Sequence, residues 1–232
     1  VSKQIIVDSL RRALHEVMHE RRVAAHDPAV ARARLSLKQF QSRRMALTHA
    51  DFLATPDTES AARFFLEDLY GTHDMTRRDA DVERIIPTME KMLPAAALST
   101  IAEAVMLDAL SERLDSAMAD RLGESFTAED YAAAYVEVAS RADRERQLDY
   151  VQSVGLSLCE LVRIPLIGAT LKMMRRPARM AKLGELHDFL ERGFSAFKAM
   201  KAPQRFVETT LARERRIMQQ LNAGAPAPFD LG

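Results

Sequence analysis

The chain has one cysteine, no tryptophan and only eight glycines in 232 residues. A lone Cys159 excludes a disulfide framework and any cysteine-based zinc site. It fits a reducing compartment, so a cytoplasmic location is expected. So few glycines leave few tight turns, and no Asn-Gly or Asp-Gly pair joins alternating apolar runs, so there is no hairpin signal. Net charge is missing too: 33 Lys and Arg balance 33 Asp and Glu. That removes the overall positive field of a nucleic-acid binder, and no nucleic-acid partner is expected. Long apolar runs are also missing. The most apolar stretch, Val151 to Leu171, is broken by Glu160, Arg163 and Pro165, which makes it a poor transmembrane candidate. Val1-Ser2-Lys3-Gln4 leads straight into a charged amphipathic stretch, so no targeting segment is expected. What is present, 47% apolar and 28% charged residues, is the composition of a folded chain.

The zero charge is a sum of unlike parts. Residues 1–50 carry 10 basic and 4 acidic side chains, net +6; residues 51–140 carry 7 and 19, net −12; residues 141–232 carry 16 and 10, net +6. Either the basic ends pack around the acidic middle, or one of them is an interaction surface.

Helix signals run from end to end. Ile6, Leu10, Leu14, Val17 and Met18 make a stripe at helical spacing over roughly residues 3–24. Asp27-Pro28 is an N-cap followed by proline at the first helical position. Thr55-Pro56 repeats that start, for a helix ending at Gly71. Thr76 to Asp79 and Thr127 to Asp130 resemble capping boxes with Asp for Glu, and Pro87 predicts a kink. The stripe from Leu98 to Met118 stops at Gly123, and the left-handed C-cap is expected at Gly71. Further stripes follow over residues 131–161, 180–197 and 204–221. The expected fold is all-α: one compact domain of about eight to ten helices over residues 1–221, with the Ala/Pro/Gly-rich residues 222–232 as a disordered tail.

One motif is sharp. His15-Glu16-Val17-Met18-His19 matches H-E-x-x-H, in which two imidazoles on one helix face hold zinc and the glutamate takes a proton from its water. At roughly 100° per residue, however, His15 and His19 fall away from the apolar stripe of their helix, and Glu16 falls further still. No extended motif follows, since Arg22 stands where a glycine is needed. The motif therefore reads as a solvated polar face, with metal binding by His15, Glu16 and His19 as the alternative. His26, His49, His73 and His187 have no ligand spacing among themselves. A di-iron site needs two Glu-x-x-His motifs, and only Glu16-x-x-His19 is present.

Between Leu161 and Gly184 stand Arg163, Lys172, Arg175, Arg176, Arg179 and Lys182, with no acidic residue. They alternate with Ile164, Leu166, Ile167, Leu171, Met173, Met174 and Met180. Arginine forks suit phosphate or carboxylate, and methionine makes a pliable apolar surface. The stretch is either a solvated basic face beside the acidic middle or a site for an anionic amphiphile, a lipid surface or an acidic partner.

Phe64-Phe65-Leu66-Glu67-Asp68-Leu69-Tyr70-Gly71 resembles the signature of a bacterial family named for it, the FFLEELY motif proteins. The likeness extends to residues 78–84 and 107–115, and Asp68 is one methylene shorter than the motif's glutamate. This resemblance implies a family and no activity. Physically, Phe64, Phe65 and Leu69 make a broad apolar face that Glu67 and Asp68 flank, while Tyr70 buries its ring with its hydroxyl bonded. A carboxylate of the motif is expected to pair with an arginine of the run 141–146, as a structural network or a site of perturbed pKa. A fainter likeness is to the globin pattern, where Arg121 stands in place of the proximal histidine, implying a globin-like fold without haem.

The reading as a whole is a non-enzymatic interaction or regulatory protein without cofactor, which self-associates or binds another protein. Two alternatives are a zinc-dependent hydrolase using His15, Glu16 and His19, and a binder of an anionic amphiphile or lipid through an apolar cavity near Phe64 with a basic rim. Peripheral membrane contact fits the last.

Overall fold

A computed structural model describes residues 2–69 and 76–230, apart from the side chains of Leu69, Thr76 and Arg77. Eleven α-helices and no strand occur among the described residues: α1 (Lys3–His26), α2 (Pro28–Thr48), α3 (Ala50–Ala54), α4 (Glu59–Arg63), α5 (Thr76–Met92), α6 (Ala95–Leu122), α7 (Ala128–Glu137), α8 (Arg141–Leu161), α9 (Pro165–Met180), α10 (Gly184–Ala199) and α11 (Pro203–Asn222). A π-helical turn, Phe64–Leu69, continues α4. The all-α expectation holds. Two of the eleven helices, α3 and α4, are five residues long, too short to show a period in the sequence.

The helix starts follow local chemistry. Ser2 accepts from the Ile5 N–H, and Asp27 accepts from the Ala29 N–H ahead of Pro28. Thr127 and Asp130 form a reciprocal capping box, so aspartate serves where glutamate is usual. Gly123 ends α6 with φ 67°, in the left-handed region that glycine enters without cost. The helix start expected at Thr55-Pro56 moves to Thr58, because Thr55 and Pro56 sit in the turn between α3 and α4. The sequence marks Pro87 as a kink, and α5 runs through it as one element. Tyr70, Gly71 and His73 lie outside the described residues, as do the side chains of the proposed Thr76 cap.

Helix α6 is the hub, packed against α1, α2, α7 and α8. The α1 stripe of Ile6, Val7, Leu10 and Leu14 meets Leu98 and Ala102 of α6 and Ile86 of α5. A second core joins Phe64 and Ala61 to Phe197, Phe206, Val207 and Leu211. A third gathers Phe40, Tyr131 and Phe126. The segment past Asn222, expected without structure from its Ala/Pro/Gly content, contributes to this third core. Pro228 is buried, and the Phe229 ring lies 6.1 Å from Phe40 and 5.9 Å from Tyr131. One aromatic with two rings to pack on outweighs the composition around it.

The Phe-Phe motif is a packing device. Phe64 lies 5.3 Å from Phe189, and Phe65 lies 5.8 Å from both Phe197 and Phe206. Helix α10 approaches so closely that a Cβ on Gly193 would stand 2.7 Å from Phe64 Cζ. Gly193→Ala is therefore expected to destabilise by about 1–3 kcal/mol through overpacking against the buried Phe64 ring. Gly184→Ala, whose Cβ would meet only Arg179 Cγ at 3.5 Å, should leave the midpoint of urea unfolding nearly unchanged.

Candidate functional site

The basic start of the chain closes on its acidic middle. Arg21 of α1 reaches Asp79 of α5, and on α6 it reaches Asp108 at 2.8 Å and Glu112 at 3.1 Å. Glu112 also accepts from Arg34 and, at 3.2 Å, from Lys38, both on α2. Arg34 donates to Ser116 at 2.8 Å, and Ser116 donates to Glu20. Arg34, Asp79 and Glu112 are buried. Burial holds the Asp79 carboxyl above the usual range, against the pull of Arg21 and Arg78, and it lowers Arg34 and Lys38. Strongly perturbed groups mark candidate sites, but these carboxylates and cations are all paired with one another, which makes the cluster a strut between four helices. A cleft of about 170 Å³ lies between α1, α6 and α8, lined by Glu16, Met106, Arg113, Arg146 and Tyr150 among others, and none of the strut residues line it.

A second buried pairing fixes α11. Arg44 donates to both oxygens of Glu214 at 2.6 Å, and His49 meets the same carboxylate at 3.1 Å. Beside it, Arg213 forks onto Asp51 at 2.7 and 2.8 Å and stacks over Phe52.

The H-E-x-x-H residues stand where the helical wheel puts them, outside. His15 is exposed and its Nε2 meets Glu83 at 3.0 Å. Glu16 faces Arg113 at 3.8 Å on the opposite flank, and His19 is exposed. The helix thus turns Glu16 toward α6 and His15 toward α5. In the Phe-Phe motif, Glu67 lies 3.6 Å from Arg63 at the surface. Asp68 pairs with Arg192 of α10 and with none of the arginines of 141–146 expected as its partner, because the π-helical turn packs on α10.

The basic stretch behaves differently from the start of the chain. Helix α9 packs chiefly on α10, turning Ile167, Gly168, Leu171 and buried Ala178 inward. Gly168 permits the approach, since a Cβ there would stand 3.0 Å from Phe194 Cε1. The helix closes on Lys182 at φ 58°, with the Leu183 N–H returned to the Ala178 carbonyl at 2.8 Å. Outward lie Leu166, Met173 and Met180, 72%, 73% and 87% exposed and spaced by seven residues, hence on one stripe. Lys172, Arg176 and Arg179 fall along one side of it. Of the six basic residues only Arg175 forms an ion pair among the described residues, with Glu191 of α10. From the acidic middle, Arg84 donates to the carbonyls of Ala181 and Lys182 at the end of this stretch. In the last third, Arg192 and Arg213 close on Asp68 and Asp51 of the acidic middle, while Arg163, Lys172, Arg176, Arg179 and Lys182 form no ion pair among the described residues.

Among the described residues, the group of metal-competent side chains close enough to share one ion is His187, Asp188 and Glu191 on α10. A search for His–His spacing passes over it, because it holds one histidine; the signal is H-D-x-x-E at positions one and four residues apart on a helix.

No curated protein and no solved structure matches the chain. The family model of a domain of unknown function, DUF8198, matches residues 20–228. That match covers the strut, the Phe-Phe turn and α9 alike, and it says nothing about the motif's name or the globin likeness. The chain belongs to the DUF8198 family.

Proposed function

We propose that this chain is an interaction protein that docks peripherally on an anionic lipid surface through α9. The observation that carries the reading is the exposed stripe of Leu166, Met173 and Met180 beside Lys172, Arg176 and Arg179, which form no ion pair among the described residues. A helix with an apolar stripe and a Lys/Arg-rich flank lies in the plane of a membrane interface, with the apolar side chains among the acyl chains and the cations at the headgroups. Among the described residues, no single helix is long and apolar enough to cross a membrane. Helices α8 and α9 together have the length and composition, but they are bent by 89°, and α8 commits Gly155, Cys159 and its Val162 cap to the core against α11 and α10. Only α9 is left for a surface.

Sedimentation with phosphatidylcholine vesicles, with and without phosphatidylserine, tests this. Binding is expected only with phosphatidylserine, and salt should weaken it. Each arginine near the surface contributes about 1 kcal/mol, so the Arg176→Ala/Arg179→Ala pair should weaken binding roughly thirtyfold. Met173→Glu should abolish it. A dimer in solution that Met173→Glu dissociates, without vesicle binding, would overturn the lipid reading in favour of self-association.

A further inference from the structure

The seam between α9 and α10 holds an unfinished polar arrangement. His187 is 6% exposed, and its Nε2–H donates to the Leu171 carbonyl of α9 at 2.7 Å. That bond directs the other ring nitrogen away from α9. Nδ1 has no hydrogen-bond partner. It faces Asp188 Oδ1 at 3.8 Å and Glu191 Oε2 at 3.9 Å, beyond hydrogen-bond range. All three atoms lie within 4.8 Å of one another. A buried lone pair aimed between two carboxylates is completed by a cation.

We propose that His187 Nδ1, Asp188 and Glu191 bind a zinc ion. A histidine that ligates a metal donates its second ring nitrogen to a carbonyl or carboxylate, which fixes both tautomer and ring plane; the Leu171 carbonyl does this here. With bonds of about 2.0–2.2 Å, neighbouring ligands on a tetrahedral ion stand ~3.4 Å apart, so each carboxylate closes on His187 Nδ1 by about half an ångström. The mixed nitrogen and oxygen set suits zinc better than calcium or magnesium, which take oxygen ligands. Arg175 pairs with Glu191 through Nη2 on Oε1 and through Nε on Oε2 at 3.1 Å. Zinc on Oε2 leaves the Oε1 bond intact, so Arg175 becomes the outer partner of a ligating carboxylate. Asp188 is on the solvent side, where the ion enters and where water takes the fourth position.

The experiment is a zinc titration against a competing chelator dye, on full-length protein prepared without a polyhistidine tag and stripped with EDTA. The expected result is one zinc per chain, weakened about tenfold or more by Asp188→Asn and by His187→Ala. Asp188→Asn changes a partly exposed side chain, so it reads the site even where His187→Ala perturbs the core. The His15→Ala/His19→Ala pair should leave binding unchanged. Absence of stoichiometric uptake, or uptake lost in the His15/His19 pair and kept in Asp188→Asn, overturns the proposal.

Discussion

Glu112→Ala should cost about 3–5 kcal/mol of stability, the effect of removing one partner from a buried ion cluster. Glu112 is 4% exposed and holds Arg34, Lys38 and Arg21 at once. Its removal leaves the Arg34 guanidinium in the interior with its hydrogen bond to Ser116 but without its ion-pair partner, and burial already works against that charge. Against a total stability of about 5–15 kcal/mol, such a loss is a large fraction. The measurement is urea unfolding, with a lower midpoint at an unchanged slope. Glu124→Ala, which breaks an exposed pair with Arg32, sets the comparison and should cost less than about 1 kcal/mol. Similar losses for the two variants would show that the cluster does not hold α1, α2, α5 and α6 together.

The second large effect is acid sensitivity at Glu214. Burial pushes this carboxyl up, but the charge of Arg44 and the hydrogen bonds from His49 and Arg44 outweigh it and bring the group down to about 2, from an ordinary 4.5. A carboxylate lowered by folding stabilises the native state fully above its unfolded value. That contribution is lost as pH falls from about 4.5 toward 2. It amounts to roughly 3 kcal/mol, at 1.36 kcal/mol per unit. Glu214→Gln should remove it at neutral pH and flatten the dependence of unfolding free energy on pH across that window. A variant that keeps the wild-type acid slope would assign the slope to other carboxylates.

The caps and stripes of the long helices are legible in the sequence because both signals are local: Asp27-Pro28, Thr127 to Asp130 and Gly123 act on residues within one turn of themselves. The exposure of His15 and His19 is legible for the same reason, since one helix's own stripe decides it. The strut is not. Arg34, Asp79 and Glu112 look like solvated charges, and only the packing of four helices shows that they are buried. The +6, −12, +6 division poses the question of closure correctly. Its answer differs between the start of the chain, where α2 lies against α6, and the 161–184 stretch, where α9 lies against α10. Past Asn222, composition points to disorder, and it gives no sign of the packing of Phe229 on Phe40 and Tyr131.

The placement of Phe229 also sets a timetable. Phe40 is synthesised 189 residues before the ring that packs on it, and Arg44 is synthesised 170 residues before Glu214. The contacts of α1 with α6 close over about half that span. During synthesis the first half of the chain can assemble its strut while the face of α2 around Phe40 and Arg44 still waits for its partners. Through that interval the nascent chain shows the part of this face that Phe229 and Glu214 cover in the finished molecule. Any factor that accompanies this chain during translation meets that surface, which the mature fold does not present.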